Sequence, residues 1–218
     1  MKKRMHSRTP GIEGLYAVTP DDPDTQHLVG SVRLALEGGA RLVQYRNKAA
    51  DAALQLAQAA ALRALTREFG ALLIINDDAA LARTVDADGV HLGQGDAAPA
   101  QARALLGAGK IIGVSCYNRL ALAASAVAAG ADYVAFGAFY PSTVKPGAAV
   151  ATLDLLREAR ASFALPIVAI GGISAENGRA LVAAGADALA VISALFGAAD
   201  VRAAAGEFGK LFIRESAS

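Results

Sequence analysis

Eight short aliphatic runs, the Ala/Leu-rich amphipathic stretches between them and a tripeptide recurring four times predict a (β/α)8 TIM barrel, formed as a single domain over residues 11–218. The runs are almost continuously apolar, as parallel strands covered on both faces require. The repeat is Gly39-Ala40-Arg41, Asp86-Ala87-Asp88, Gly130-Ala131-Asp132 and Gly185-Ala186-Asp187, with first residues 47, 44 and 55 positions apart. Each copy stands directly before a run, so it marks the second, fourth, sixth and eighth strands. Three of the four copies begin with Gly, the residue favoured where a helix ends in a left-handed conformation. No linker interrupts the series, which favours closure over an open doubly wound sheet.

Composition agrees and excludes several function classes. The 218 residues are 54% hydrophobic, only 6% aromatic and 19% charged, which is too apolar for a disordered chain. Cys116 is the single cysteine, so an intramolecular disulfide or a multi-cysteine metal site is excluded. The formal net charge is +1, with four positive charges in the first ten residues (Lys2, Lys3, Arg4 and Arg8) and −3 over the remainder. Neither value calls for nucleic acid or an anionic membrane as a partner. The basic leader, residues 1–10, is expected to be disordered and lacks the apolar core of a signal peptide. The longest uncharged stretch, Ala161–Ala175, is broken by Pro166, Gly171 and Gly172 and is too short to span a bilayer. A cytoplasmic location is expected, and a homo-oligomer is left open.

The strands follow in order, and in such a barrel function belongs at their C-terminal ends. The first is Leu15–Thr19. The second, Leu42–Arg46, leads into Gln44-Tyr45-Arg46-Asn47-Lys48, where alternation puts Gln44, Arg46 and Lys48 on one face. A helix over Ala52–Phe69 follows. The third strand, Leu72–Asn76, ends in Asn76-Asp77-Asp78; a helix N-cap accounts for one of the three. The fourth, Gly89–Gly93, leads to Asp96. Asp77 and Asp96 come from adjacent strands and suit a hard cation such as Mg²⁺, with water and substrate phosphate completing its shell.

The fifth strand, Ile111–Ser115, ends in a hydroxyl able to donate to phosphate. Cys116 beside it is expected to be a packing residue, and His91 in the fourth strand a satisfied core histidine. The sixth, Tyr133–Gly137, runs into Pro141-Ser142-Thr143-Val144-Lys145, a hydroxyl-rich loop ending in a cation. A helix over Thr152–Ala161 precedes the seventh strand, Ile167–Gly171, which ends in Gly171-Gly172. The eighth, Ala188–Ser193, ends in Ile192-Ser193. Glycines here allow close backbone approach, and the last two units of this fold commonly bind phosphate.

The series Val43–Lys48, Ile75–Asp78, Gly89–Asp96, Gly113–Ser115, Pro141–Lys145, Gly171–Ile173 and Val191–Ser193 resembles the thiamine-phosphate synthase family, in order over most of the chain. The resemblance implies a Mg²⁺-dependent transferase that joins hydroxymethylpyrimidine diphosphate to a thiazole phosphate and releases pyrophosphate. By position, Gln44, Arg46, Lys48, Asn76, Ser115 and Lys145 would hold the pyrimidine diphosphate, with Arg46, Lys48, Ser115 and Lys145 catalytic. Asp77 and Asp96 would ligate Mg²⁺. Ser142, Thr143, Val144, Gly172, Ile192 and Ser193 would take the thiazole phosphate. The family pattern in the sixth loop is Pro-Thr-x-Thr-Lys; Ser142 keeps a hydroxyl at the first threonine position, whereas Val144 has none to offer at the second.

Other readings compete with this one. A thiazole tautomerase or a silent thiazole-phosphate binder would keep the barrel, but has no use for Arg46, Lys48, Asp77 and Asp96 together. A phosphosugar isomerase or epimerase would want an acid/base pair, whereas cations and an amide dominate these strand ends. A structural barrel would not need seven populated strand ends.

Overall fold

The structure, a computed structural model, describes residues 11–141 and 150–213. Eight parallel strands close a barrel in chain order: β1 (Gly14–Val18), β2 (Leu42–Tyr45), β3 (Leu72–Asn76), β4 (Gly89–Leu92), β5 (Ile111–Tyr117), β6 (Tyr133–Phe136), β7 (Ile167–Ile170) and β8 (Ala188–Val191). β8 pairs back onto β1, with Gly14 opposite Ala188 and Ala17 opposite Val191. The described helices are α1 (Thr25–Glu37), α2 (Ala52–Glu68), α3 (Ala79–Thr84), α4 (Pro99–Leu106), α5 (Leu120–Ala128), α6 (Leu153–Ser162), α7 (Ala175–Ala183), α8 (Ser193–Phe196) and α9 (Val201–Lys210). The predicted architecture is therefore the observed one.

Capping explains several helix starts. Asp24 accepts from the amides of Gln26 and His27 at 2.8 and 3.1 Å, Asp51 from Leu54 at 2.8 Å, and Asp200 from Ala203 at 2.9 Å. Thr152, expected as the first residue of its helix, is the N-cap of α6. Phe69 likewise caps the C-terminus of α2, outside the helix. β8 stops at Val191, and Ser193 opens α8 instead of ending a strand. β5 runs two residues beyond expectation, because a bulge sets Ser115 opposite Ala135 and Tyr117 opposite Phe136.

Apolar residues form two layers. The larger lies between the strands and the helices and includes Leu36, Leu62, Leu156 and Phe208. The smaller fills the barrel and includes Ile12, Tyr16, Leu42, Ile74, Tyr133 and Val168. Burying strands on both faces is what the continuous apolar runs required.

The four-fold repeat has a structural role at the opposite end from the site. Its first residues, Gly39, Asp86, Gly130 and Gly185, all have left-handed backbones, with φ of 107°, 51°, 87° and 112°. In three copies the third residue is an Asp that clips two strands together. Asp88, Asp132 and Asp187 accept from the amides of Leu73, Ile112 and Ile167 at 2.8, 2.7 and 2.8 Å. The same carboxylates pair with Arg63, Arg103 and Arg160 at 2.6, 2.5 and 2.7 Å. These clips hold the strand N-termini, the face that serves stability in this fold.

Candidate active site

The C-terminal strand ends surround a cavity of about 550 Å³, within the range of small-molecule sites. A second hollow of about 290 Å³ adjoins it, and Arg46 and Asn76 line both. The loop after β2 is held by the loop after β1. Thr19 donates its hydroxyl to the Arg46 carbonyl at 2.7 Å and accepts the Arg46 amide at 2.8 Å. Asp21 pairs with the Arg46 guanidinium at 3.0 Å and accepts the Lys48 amide at 2.7 Å. Asn47 turns inward instead, donating to the Asp22 carbonyl at 2.7 Å and to Gln58 at 3.0 Å. This leaves Gln44 and Arg46 on the main cavity, and Arg46 and Lys48 on the adjoining hollow.

Lys48 reaches across to β3, where its ammonium lies 2.9 Å from the Asp77 carboxylate. Asp77 has φ +64°, a left-handed backbone unusual outside glycine and tolerated best by Asp and Asn. Its amide donates to the His91 carbonyl at 2.8 Å. Asp78 accepts from the amides of Ala80 and Leu81, both at 2.8 Å, and is the residue of the trio that caps a helix. Asp96 accepts the Gly93 amide at 2.7 Å, and its carboxyl neighbours that of Asp77. Burial pushes the Asp77 carboxyl up, but the Lys48 ammonium beside it, with the neighbouring Asp96, outweighs that and holds the group below the ordinary carboxylate range. Burial, with the adjacent Asp77 carboxylate, pushes Asp96 up. Among the described residues no group of three or more His, Cys, Asp or Glu side chains converges as a metal site.

β4 and β5 supply the floor. His91 contacts Ser115 Oγ through Nε2 and the Tyr133 hydroxyl through Nδ1, both at 2.8 Å. It is satisfied, as expected of a core histidine, yet its ring also lines the cavity. Cys116 is fully buried on the helix side, and burial pushes its thiol up to about 12, so it packs and does not react.

Gly171, Gly172, Ile192 and Ser193 line the far wall. The glycines are needed there, with φ of 93° and 64°. A Cβ on Gly171 would fall 2.4 Å from the Ala138 Cβ, and one on Gly172 2.4 Å from the Pro141 carbonyl oxygen. The close approach they permit is thus by the chain leaving β6 onto the wall of the cavity. Ser142, Thr143, Val144 and Lys145 lie outside the described residues.

This arrangement brings two cations, two carboxylates, two amides and a hydroxyl to the ends of four consecutive strands. Residues 15–195 match the family described as thiamine monophosphate synthase. The chain belongs to that family. Among its relatives, the thiamine-phosphate synthase of Thiobacillus denitrificans is 55% identical over 202 residues, 93% of this chain and 96% of the relative. That of Azoarcus sp. is 56% identical over 201 residues, covering 92% and 98%. A solved thiamine phosphate pyrophosphorylase from Pyrococcus furiosus superposes with a TM-score of 0.83 at 41% identity, covering 92% of this chain and 96% of that one.

Sequence reasoning overlooked four groups in this family site. Thr19 and Asp21 follow β1, the one strand end not read for function, and a Thr-Pro-Asp-Asp run there looks like an ordinary turn. Tyr16 and Tyr133 sit inside apolar runs, where nothing local distinguishes a phenol that meets a polar partner from a bulky core residue.

Proposed function

We propose that this protein joins 4-amino-2-methyl-5-hydroxymethylpyrimidine diphosphate to 4-methyl-5-(2-phosphoethyl)thiazole, or its carboxylate, to give thiamine phosphate and pyrophosphate. One observation carries the reading. At the ends of β2 to β5, Gln44, Arg46, Asn76 and Ser115 line the main cavity, Lys48 and Asp77 line the hollow that adjoins it, and Asp96 neighbours Asp77. The set is rich in groups for an anion and a cation and has no activated nucleophile, which is what a reaction driven by leaving-group departure needs.

The carbon–oxygen bond to the diphosphate breaks with its electron pair leaving on pyrophosphate, and the electron-rich aminopyrimidine stabilises the cation left behind. The thiazole nitrogen then donates its lone pair to that carbon and becomes the thiazolium. The protein supplies charge neutralisation and alignment. Arg46 and Lys48, with Lys145 by family position, face the developing charge on pyrophosphate. Gln44 and Asn76 orient the pyrimidine diphosphate, and Ser115 donates to it. Ser142, Thr143, Val144, Gly172, Ile192 and Ser193 hold the thiazole phosphate by the same carry-over.

Asp77 and Asp96 fit a divalent cation of the magnesium type: they are neighbouring carboxylate oxygen donors at the ends of adjacent strands, whose mutual repulsion such an ion would relieve. When bound, the ion contributes positive charge where the diphosphate leaves. Calorimetric titration with the pyrimidine diphosphate tests the arrangement. Binding is expected to tighten with Mg²⁺, and Arg46→Ala is expected to weaken it at least tenfold. Equal binding by the parent and Arg46→Ala, with or without Mg²⁺, would remove the diphosphate from these strand ends.

A further inference from the structure

We infer that Gln44, Tyr16, Tyr133, His91 and Ser115 form a one-way hydrogen-bond chain that holds His91 as its Nε2–H tautomer and turns the Ser115 hydroxyl hydrogen into the cavity. The links are continuous. Gln44 Nε2 lies 2.9 Å from the Tyr16 oxygen, Tyr16 lies 2.9 Å from the Tyr133 oxygen, and His91 joins Tyr133 to Ser115 with 2.8 Å on either side. The residues come from β1, β2, β4, β5 and β6, so only closure of the barrel assembles them.

Direction follows from the donor inventory. The Gln44 amide nitrogen only donates, so the Tyr16 oxygen accepts there, and its own buried hydrogen finds its acceptor in the Tyr133 oxygen. Tyr133 accepts from Tyr16 and gives its own hydrogen to His91 Nδ1. With Nδ1 accepting, the neutral ring carries its hydrogen on Nε2 and donates to Ser115 Oγ. The serine oxygen is then occupied as an acceptor there, and its hydrogen is released toward the cavity that it lines. Each phenol keeps the single hydrogen this requires, since burial holds both well above the usual tyrosine range. Reversal would need Tyr133 to donate back to Tyr16, which strands the buried Tyr16 hydrogen, with His91 protonated at Nδ1 and Ser115 spending its hydrogen on His91. Ser115 would then show a polyanion only lone pairs.

The fold makes room for this chain. A Cβ on Gly113 would fall 1.9 Å from Tyr133 Cζ and 2.3 Å from its hydroxyl oxygen, so only glycine lets the phenol cross the barrel there. His91 stacks on the Tyr133 ring at 5.5 Å and 22°, and Tyr16 meets it edge-on at 6.2 Å. Tyr16, Tyr133 and His91 are thus positioning residues that act through Ser115. The acceptor, a diphosphate oxygen, rests on the proposed function; the tautomer does not.

Two measurements test the chain. In the full-length protein labelled with ¹⁵N-histidine, long-range ¹⁵N–¹H correlation at pH 8, above the ordinary imidazole range of about 6.5, reads the tautomer directly. Three histidines contribute, and a His91→Gln spectrum assigns the signal. The chain predicts hydrogen on Nε2, with the Nδ1–H form appearing in Tyr133→Phe; an Nδ1–H ring in the parent overturns the inference whatever the protein catalyses. In turnover, Tyr133→Phe is expected to lower kcat roughly fivefold to tenfold with the KM for pyrimidine diphosphate within about twofold. Ser115→Ala with Tyr133→Phe is expected to be no slower than Ser115→Ala alone. Losses that multiply would show that Tyr133 acts by another route.

Discussion

Gly113→Ala probes the barrel interior most sharply, because the structure sets the size of the conflict. The added methyl would sit 1.9 Å from Tyr133 Cζ and 2.3 Å from both Cε1 and the hydroxyl oxygen. Carbon atoms at rest lie about 3.5–4.0 Å apart, so the ring must retreat by roughly 1.6 Å or more. A shift of that size breaks the 2.9 Å contact with Tyr16 and the 2.8 Å contact with His91. Overpacking of this kind costs about 1–3 kcal/mol, and each lost hydrogen bond about 1 kcal/mol. Replacing glycine restricts the unfolded chain and returns about 0.4–1 kcal/mol. The expected net loss is about 2–4.5 kcal/mol, read from the midpoint of urea unfolding at constant m-value. Adding Tyr133→Val, which removes the atoms in conflict, is expected to recover part of the loss. A single variant within about 0.5 kcal/mol of the parent, the range of an ordinary surface change, would show that the phenol does not occupy the space assigned to it.

Other outcomes follow from the same geometry. Asp88→Ala removes the acceptor for both the Leu73 amide and Arg63, and is expected to lower stability by about 2–3 kcal/mol while kcat at low temperature stays unchanged, since the clip is at the far end of the barrel. Asp77→Ala is expected to abolish metal-dependent turnover while thiazole-phosphate binding by calorimetry survives; full Mg²⁺-stimulated activity would remove Asp77 from the cation site. Tyr45 donates to Gln58 at 2.9 Å and is pushed up to about 12 by burial and by Asp21, so the folded state holds its proton more tightly than the unfolded chain, with its value near 10. Its contribution is complete below about pH 10 and declines as pH rises toward 12, and Tyr45→Phe is expected to flatten the pH dependence of the urea midpoint in that window. Cys116, buried and with its thiol raised, is expected to resist iodoacetamide at about pH 8 in the native state and to react fully in denaturant.

The fold was legible because its signals are local. A strand covered on both faces must be apolar throughout, and each copy of the repeat opens on the left-handed residue with which a helix ends before a strand. Asp86 shows that such a position does not demand glycine. What the third repeat residue does was not legible, because the partner arginines come from other helices and the accepted amides from neighbouring strands. The site divides the same way. Arg46, Lys48, Asp77 and Asp96 stand out as charges at strand ends. Which of Asp77 and Asp78 caps the helix depends on a backbone angle that composition cannot express. Tyr16 and Tyr133 are 117 residues apart, and their hydroxyls meet only when the barrel closes. Gly113 looked like part of a motif, whereas its role is to leave space for a ring from the next strand.

The most direct measurement mixes the purified protein with both substrates and Mg²⁺ and follows phosphorus by ³¹P NMR. Thiamine phosphate and pyrophosphate are expected to appear in equal amounts, with no inorganic phosphate and no pyrophosphate release when the thiazole is left out. Tight binding of both substrates with no coupled product would contradict the assignment of these strand ends to the coupling reaction.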